Sequence, residues 1–490
     1  MTGVISRPTR YPLWAGRASA LLAIAVSALN LRSAVTSLSP LLRRIGDQFG
    51  FGTGTIGVFG MLAPACFALF GALTPGLIRR VGLERTAVLA LLITAAGVTA
   101  RGSSGGVGPL IVLSVVALAG MGMAGVVIPP LVREYFSDRI ALVSTVYLIA
   151  LHLGALVPPL LIVPLADAIG WRRGIASWAV IAVAAALLWM ATLRIRTRRP
   201  HPHHAARPEA VPEPVGVLPR HAWRSPTVWN LTVLFGMTSW NVFILFTWLP
   251  TLVTDAGHSA QFGGAMVSLL IGVSMLIGVV APTLTIRLRN PAFLVEPCVV
   301  LYVAGYTGLA LAPRELMVLW VILLGAASSL FMIAATMINT HSRTPAGSAV
   351  ASGFVQGVGS AIAVLGPLLF GVLHTWTGSW GAPYALVAFS LLVLAITGFR
   401  ERGHRTIEDD IAGKRGEALP SSSPGGDRSA SALPDSTGCS PSAPGGHQEG
   451  VESEVIHHRV VRPPADVLPP LHRDGAGTSR HGGLCRPGSR

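Results

Sequence analysis

The sequence predicts an all-α membrane protein, with twelve transmembrane helices in two pseudo-symmetric six-helix bundles. Three observations carry that expectation. Of the 490 residues, 51% are apolar and only 12% are charged, against about 25% charged in a soluble domain. Apolar runs of about 20 residues, enough to cross a bilayer as a helix, recur from Arg17 to Phe399. Residues of the first half also recur in the second at an offset of 207 or 208.

Taken in order, the passes of the first half are 17–42, 54–78, 84–101, 108–132, 139–163 and 172–195. Those of the second are 227–252, 262–287, 293–312, 316–340, 347–374 and 381–399. The first opens behind Arg7, Arg10 and Arg17 like a signal peptide. No small-residue cleavage site follows cleanly and further spans come after, so it reads as a pass. Pro64, Pro129, Pro130, Pro158 and Pro159 are tolerable inside passes, because neighbouring helices re-satisfy the freed backbone groups. The glycines between Gly120 and Gly125, and the Gly353/Gly357 spacing, let helices approach closely. Pro40 and Pro250 are expected to end the first and seventh passes alike.

The repeat sets the halves in register. Gly57, Gly71, Pro75 and Arg80 match Gly264, Gly278, Pro282 and Arg287, which lays the second pass on the eighth. Pro159, Leu165 and Gly170 match Pro367, Leu373 and Gly378, which lays the fifth on the eleventh. The expected domains are a six-helix bundle over 1–195, a basic cytoplasmic linker over 196–226, a second bundle over 227–399 and a disordered cytoplasmic tail over 400–490. A parallel six-plus-six repeat implies a transporter with its ligand site between the halves, near mid-membrane.

Charge placement orients the chain. With the N-terminus inside, twenty arginines fall on the inner side and six on the outer, Arg101 among the six. That bias puts both termini in the cytoplasm of a plasma-membrane protein. The net charge of +15 does not imply nucleic acid, because the basic residues sit in short loops and the tail. Cys66 and Cys298 lie within apolar passes, where a thiol packs. The tail histidines lack metal-ligand spacing, so neither metal nor cofactor is expected. HExxH, GxSxG and Walker patterns are missing. The expectation is therefore no enzyme and no ATP-driven pump, but a monomer in a lipid bilayer handling a small-molecule substrate. The alternative is a non-transporting sensor or scaffold on the same fold.

Arg32 is the most informative position. At ~1.5 Å per residue it lies roughly 22 Å beyond Arg17, inside the hydrocarbon core. A charge there costs at least ~2.5 kcal/mol and turns to the bundle interior or a cavity. Glu296 is the only acid within a pass, and it sits near the cytoplasmic end. Arg32 is therefore expected to lack a carboxylate partner and to offer its planar fork to an anion or a nitro-like group. An ion pair with a buried acid, or snorkelling to the outer surface, is the bland alternative. Asn30, Thr36, His152, Trp240, Asn241, Asn339 and Gln356 complete the candidate substrate-binding set. Each also has a packing reading, and for a lone His that reading weighs most.

Together these residues resemble the major facilitator superfamily, and within it the cyanate/nitroimidazole permease branch. Asn30-Leu31-Arg32 with Thr36, Ser37, Pro40, Leu41 and Leu42 is similar to the branch's first-helix signature, with Ser33 where Pro is usual. Tyr147 to Pro164 resembles its fifth helix, with His152 in place of a common Asn. Gly353 to Trp380 resembles its eleventh. The resemblance implies a permease for a small anion or small polar organic molecule. It departs at the superfamily's gating loop. There Arg79 replaces the usual Asp, followed by Arg80, Glu84 and Arg85, so a rearranged charge lock is expected at the inner gate.

Overall fold

A spanning segment in a water-free bilayer core must pair its backbone groups internally, and these apolar runs do so as helices. A computed structural model of the chain describes residues 17–198, 225–288, 290–341 and 345–401. The expected linker and tail lie almost wholly outside them. Among the described residues every regular element is helical. The first half holds α1 (Ala18–Thr36), α2 (Leu42–Phe49), α3 (Thr53–Val81), α4 (Leu83–Arg101), α5 (Val107–Tyr135), α6 (Ile140–Ile169), α7 (Trp171–Ser177) and α8 (Ala179–Arg198). The second holds α9 (Pro226–Asp255), α10 (Ala260–Arg287), α11 (Val295–Leu311), α12 (Met317–Ser328), α13 (Leu330–Thr340), α14 (Pro345–Thr377) and α15 (Gly381–Glu401).

Eleven stretches are long and apolar enough to cross a membrane among the described residues. The remaining expected pass is α11, apolar but only 17 residues long, which is about 25 Å at ~1.5 Å per residue. Three passes are interrupted. The first stops at Thr36, turns through a 3₁₀ segment at Ser39–Leu41 and resumes as α2; Pro40 supplies no N–H to carry the ladder on. The sixth breaks between α7 and α8 at Trp178, the tenth between α12 and α13 at Ser329.

Two expectations need correction. Pro250 does not end its helix: α9 continues to Asp255, since one missing N–H is tolerated where packed neighbours hold the helix. Arg101 is not an outer-loop residue. It closes α4 at 1% exposure and donates to the carbonyls of Ala34 at 2.9 Å and Ser114 at 3.4 Å. The first of these carbonyls belongs to the last turn of α1, where a cation offsets the helix dipole.

Helix packing repeats between the halves. The pairs α1 with α6, α4 with α5 and α4 with α8 recur as α9 with α14, α11 with α12 and α11 with α15. The halves meet through α3 on α14 and α6 on α10, pairs that exchange under the repeat. Among their close approaches are the repeated residues themselves. A Cβ on Gly57 would stand 2.8 Å from the Pro367 carbonyl oxygen, and one on Gly264 would collide with that of Pro159. Only glycine permits this, because the facing atoms are backbone.

Candidate functional site

Along α3 and α14 the contact is one-sided. At one end Gly54, Gly57 and Gly60 abut Thr375, Pro367, Leu368 and Thr247. Towards the other end, Gly76 and Gly357 face open space. Polar contacts between the halves gather at the closed end. Arg43 pairs with Asp255 and donates to Thr254 at 3.1 Å. Thr53 and Thr375 hydroxyls meet at 2.9 Å, and Ser268 donates to the Leu156 carbonyl at 2.7 Å.

Beneath that closure lies a cavity of about 130 Å³, several times the ~10–15 Å³ that one water needs. Both halves build it. The first supplies Arg32 from α1 and Leu148, Leu151, His152 and Ala155 from α6. The second supplies Val242 and Phe246 from α9, Leu270, Ile271 and Ser274 from α10, Ser328 from α12, and Phe331 and Met332 from α13. Arg32 is the only charged group among the described lining residues.

The Arg32 guanidinium carbon stands 5.7 Å from the centroid of the Phe331 ring, a cation–π distance. Among the described residues no carboxylate pairs with it, as expected. The break after Thr36 places Arg32 near the end of α1, and the Thr36 hydroxyl bonds back to the Arg32 carbonyl at 3.2 Å. His152 Nδ1 lies 2.8 Å from the Leu148 carbonyl, one turn back. That nitrogen therefore carries a proton, which leaves Nε2 an acceptor when the ring is neutral. The site thus offers a cationic donor fork, one ring acceptor, two hydroxyls and an otherwise apolar, partly aromatic wall.

The other candidate residues are dispersed. Asn30 is buried, its Nδ2 without a partner, and it is not part of the cavity wall. Trp240 is buried against Gly366. Asn241 donates to the Met237 carbonyl and to Ser390 within the second half. Gln356 is exposed on α14, and the side chain of Asn339 lies outside the described residues. The gating set collects at the open end. Arg79 and Arg80 are exposed in the last turn of α3, before Gly82 at φ +92°. Glu84 opens α4 and accepts from the Tyr135 hydroxyl, while Arg85 is exposed beside it.

Ser274, Ser328, Phe246, Phe331 and Met332 are cavity residues that the sequence did not single out. Nothing local marks them, since such residues fill apolar spans everywhere.

A cavity between repeated helical halves, closed at one end, defines a membrane transporter fold. Residues 20–313 match the Major Facilitator Superfamily, and the chain belongs to that family. It is 27% identical over 375 residues to the uncharacterized transporter YycB of Bacillus subtilis (strain 168), covering 76% of this chain and 90% of that protein. Two Escherichia coli (strain K12) proteins are similarly related. One is a 2-nitroimidazole transporter, 27% identical over 76% of this chain and 93% of its own length. The other is the cyanate transport protein CynX, 26% identical over 78% and 96%. Among solved structures the nucleoside transporter NupG superposes with a TM-score of 0.65 at 13% identity, over 78% of this chain and 99% of that one. A bacterial Spinster homologue, inward-facing and unoccupied, superposes at 0.62 and 15% identity, over 83% and 99%.

Proposed function

We propose that this protein is a secondary transporter that carries a small anion or small polar organic solute, such as cyanate or a nitroimidazole-like compound, across the plasma membrane by alternating access. One observation carries the reading: a guanidinium that no described carboxylate pairs with faces a cavity shared by the two halves. An anionic or nitro-bearing solute supplies the acceptor that Arg32 lacks. His152 Nε2 accepts a ring N–H, and the Phe246 and Phe331 side favours a flat, weakly hydrated molecule. The names of the related nitroimidazole and cyanate transporters agree with such a solute.

The arginine bias makes the closed end external, so the conformation is inward-open and both termini are cytoplasmic. The protein works as a monomer, with residues 1–195 and 227–399 as the two bundles that rock about the cavity. Binding stabilises a folded protein by mass action, so a thermal-shift panel of small anions and nitroheteroaromatics on the purified protein identifies the solute. Uptake of the hits into proteoliposomes, with and without a pH gradient, then tests transport. A stabilising ligand that never crosses the membrane would favour a sensor and sink the proposal.

A further inference from the structure

α13 joins two unlike environments. Phe331 and Met332, at its start, form part of the cavity wall, with Phe331 beside Arg32. His341 follows its last residue, about 15 Å beyond Phe331 at ~1.5 Å per residue. Just before α13 the helical ladder is broken. The Ser329 N–H bonds to Ala326 and the Met332 N–H to Ser329, three residues apart in each case. The Ser328 and Ser329 hydroxyls bond back to Leu324 and Ala326. Hydroxyls competing with the ladder bend helices, so a bend of this pass would fall at Ser329, although the Ile333 N–H already resumes the ladder on the Ser329 carbonyl at 3.2 Å.

At the far end His341 and Glu401 are buried together, their side chains 1% and 4% exposed. His341 Nδ1 lies 2.8 Å from the Met337 carbonyl, and Nε2 lies 3.0 Å from Glu401 Oε2. Glu401 Oε1 accepts from Asn230 Nδ2 at 2.5 Å, an amide also bonded to the Thr397 carbonyl at 3.0 Å. Both ring nitrogens therefore face acceptors. A carbonyl has no proton to give, so Nδ1 carries one, and an attractive ion-pair contact with Glu401 requires a second on Nε2. Without it, lone pairs oppose each other away from water, and the contact repels.

The other charged groups on the packed elements are Arg287 on α10, Glu296 on α11 and Arg400 on α15; both arginines are exposed. Asp255 and His374 lie at the opposite ends of α9 and α14. Arg289 and Arg343 are outside the described residues. Burial pulls the His341 imidazole down, but the hydrogen bond and charge of Glu401, with the Met337 carbonyl, leave it above its ordinary value.

We propose that His341 and Glu401 form the carrier's proton-binding site, and that α13 relays its occupancy to the cavity wall. The proposal rests on the transport reading above. With the proton bound, the end of α13 is tied to α15. When the proton leaves to solvent the tie is lost, and α13 swings about Ser329, shifting Phe331 relative to Arg32. Because folding raises the His341 pKa, this stabilisation is complete below the ordinary imidazole range. It fades as pH rises through the raised value.

Thermal melting of the purified full-length protein across neutral to alkaline pH tests the site. The wild type should melt at lower temperature as pH rises, and His341→Gln should lack that step. His341→Lys, which keeps a cation on Glu401, should stay flat at the higher temperature. In proteoliposomes, labelled 2-nitroimidazole and cyanate serve as probes. His341→Gln should retain exchange but lose uphill accumulation driven by a proton gradient. If His341→Gln does not fold, His341→Lys decides by the same two criteria. An unchanged pH step in the variant overturns the site; unchanged accumulation overturns the coupling. A wild type that carries neither probe counts against the transport reading for those solutes, and melting still decides the proton site.

Discussion

A guanidinium in mid-membrane costs at least ~2.5 kcal/mol, and at Arg32 the Phe331 ring at 5.7 Å returns about 0.5–2 kcal/mol of that. The remainder is available to a bound acceptor. Arg32→Gln should therefore leave the melting temperature unchanged or slightly raised. Losing charged hydrogen bonds of about 1.5–3 kcal/mol should weaken solute binding roughly 10- to 100-fold. Arg32→Lys should fail similarly, since a point charge does not reproduce a planar fork. Melting and uptake on the same purified variants check both. A large fall in melting temperature would make Arg32 a structural residue. His152→Asn should keep proton-driven accumulation, because His341 and Glu401 hold the proton elsewhere; loss of accumulation with exchange intact would transfer that role to His152. Arg32 was legible in the sequence because a charge inside an apolar run is rare. Phe331 was not, because its meaning comes from a residue on another helix in the other half. Glu401 escaped notice because it lies just past the expected end of the last pass, where an acid normally meets water.

Among the elements, glycine and proline told most where they repeated. Gly57 with Gly264 and Pro159 with Pro367 look like two separate coincidences in sequence. In the fold each glycine meets the other pair's proline, at the two seams between the halves. The breaks at Trp178 and Ser329 left no such trace, since neither residue excludes a helix and tertiary packing decides. Pro40 and Pro250 show the limit of local reading: one lies at a break, the other inside α9. The seams also predict behaviour. Gly264→Val places atoms where the Pro159 carbonyl lies, but only while that end is closed. Overpacking costs about 1–3 kcal/mol, enough to move the balance toward the state open at the Arg43–Asp255 end by roughly 5- to 150-fold. A cysteine at Ser268, 6% exposed in the closed seam, should then react with a thiol reagent correspondingly faster than in the parent. An unchanged rate would show that the seam does not open.

At the scale of the molecule, the arginine bias makes a direct prediction about sidedness. In intact cells, with Cys439 and Cys485 replaced by Ser, Ser103→Cys should react with an impermeant thiol reagent and Ala206→Cys should not. Equal labelling would undo the assigned topology and, with it, the inward-open assignment. The helical membrane class was legible throughout, because backbone pairing in a bilayer leaves few alternatives. The cavity wall was legible only at its charged and imidazole positions. The closed end has one more consequence. At Gly57 and Gly264 bare backbone meets bare backbone, and a carbonyl pressed on a glycine Cα gains only weak, short-ranged attraction. The exposed Arg43–Asp255 pair adds about 0–1 kcal/mol. A barrier assembled in this way is tight to a solute yet cheap to part, as a well-cut stopper seals a flask without being cemented into it.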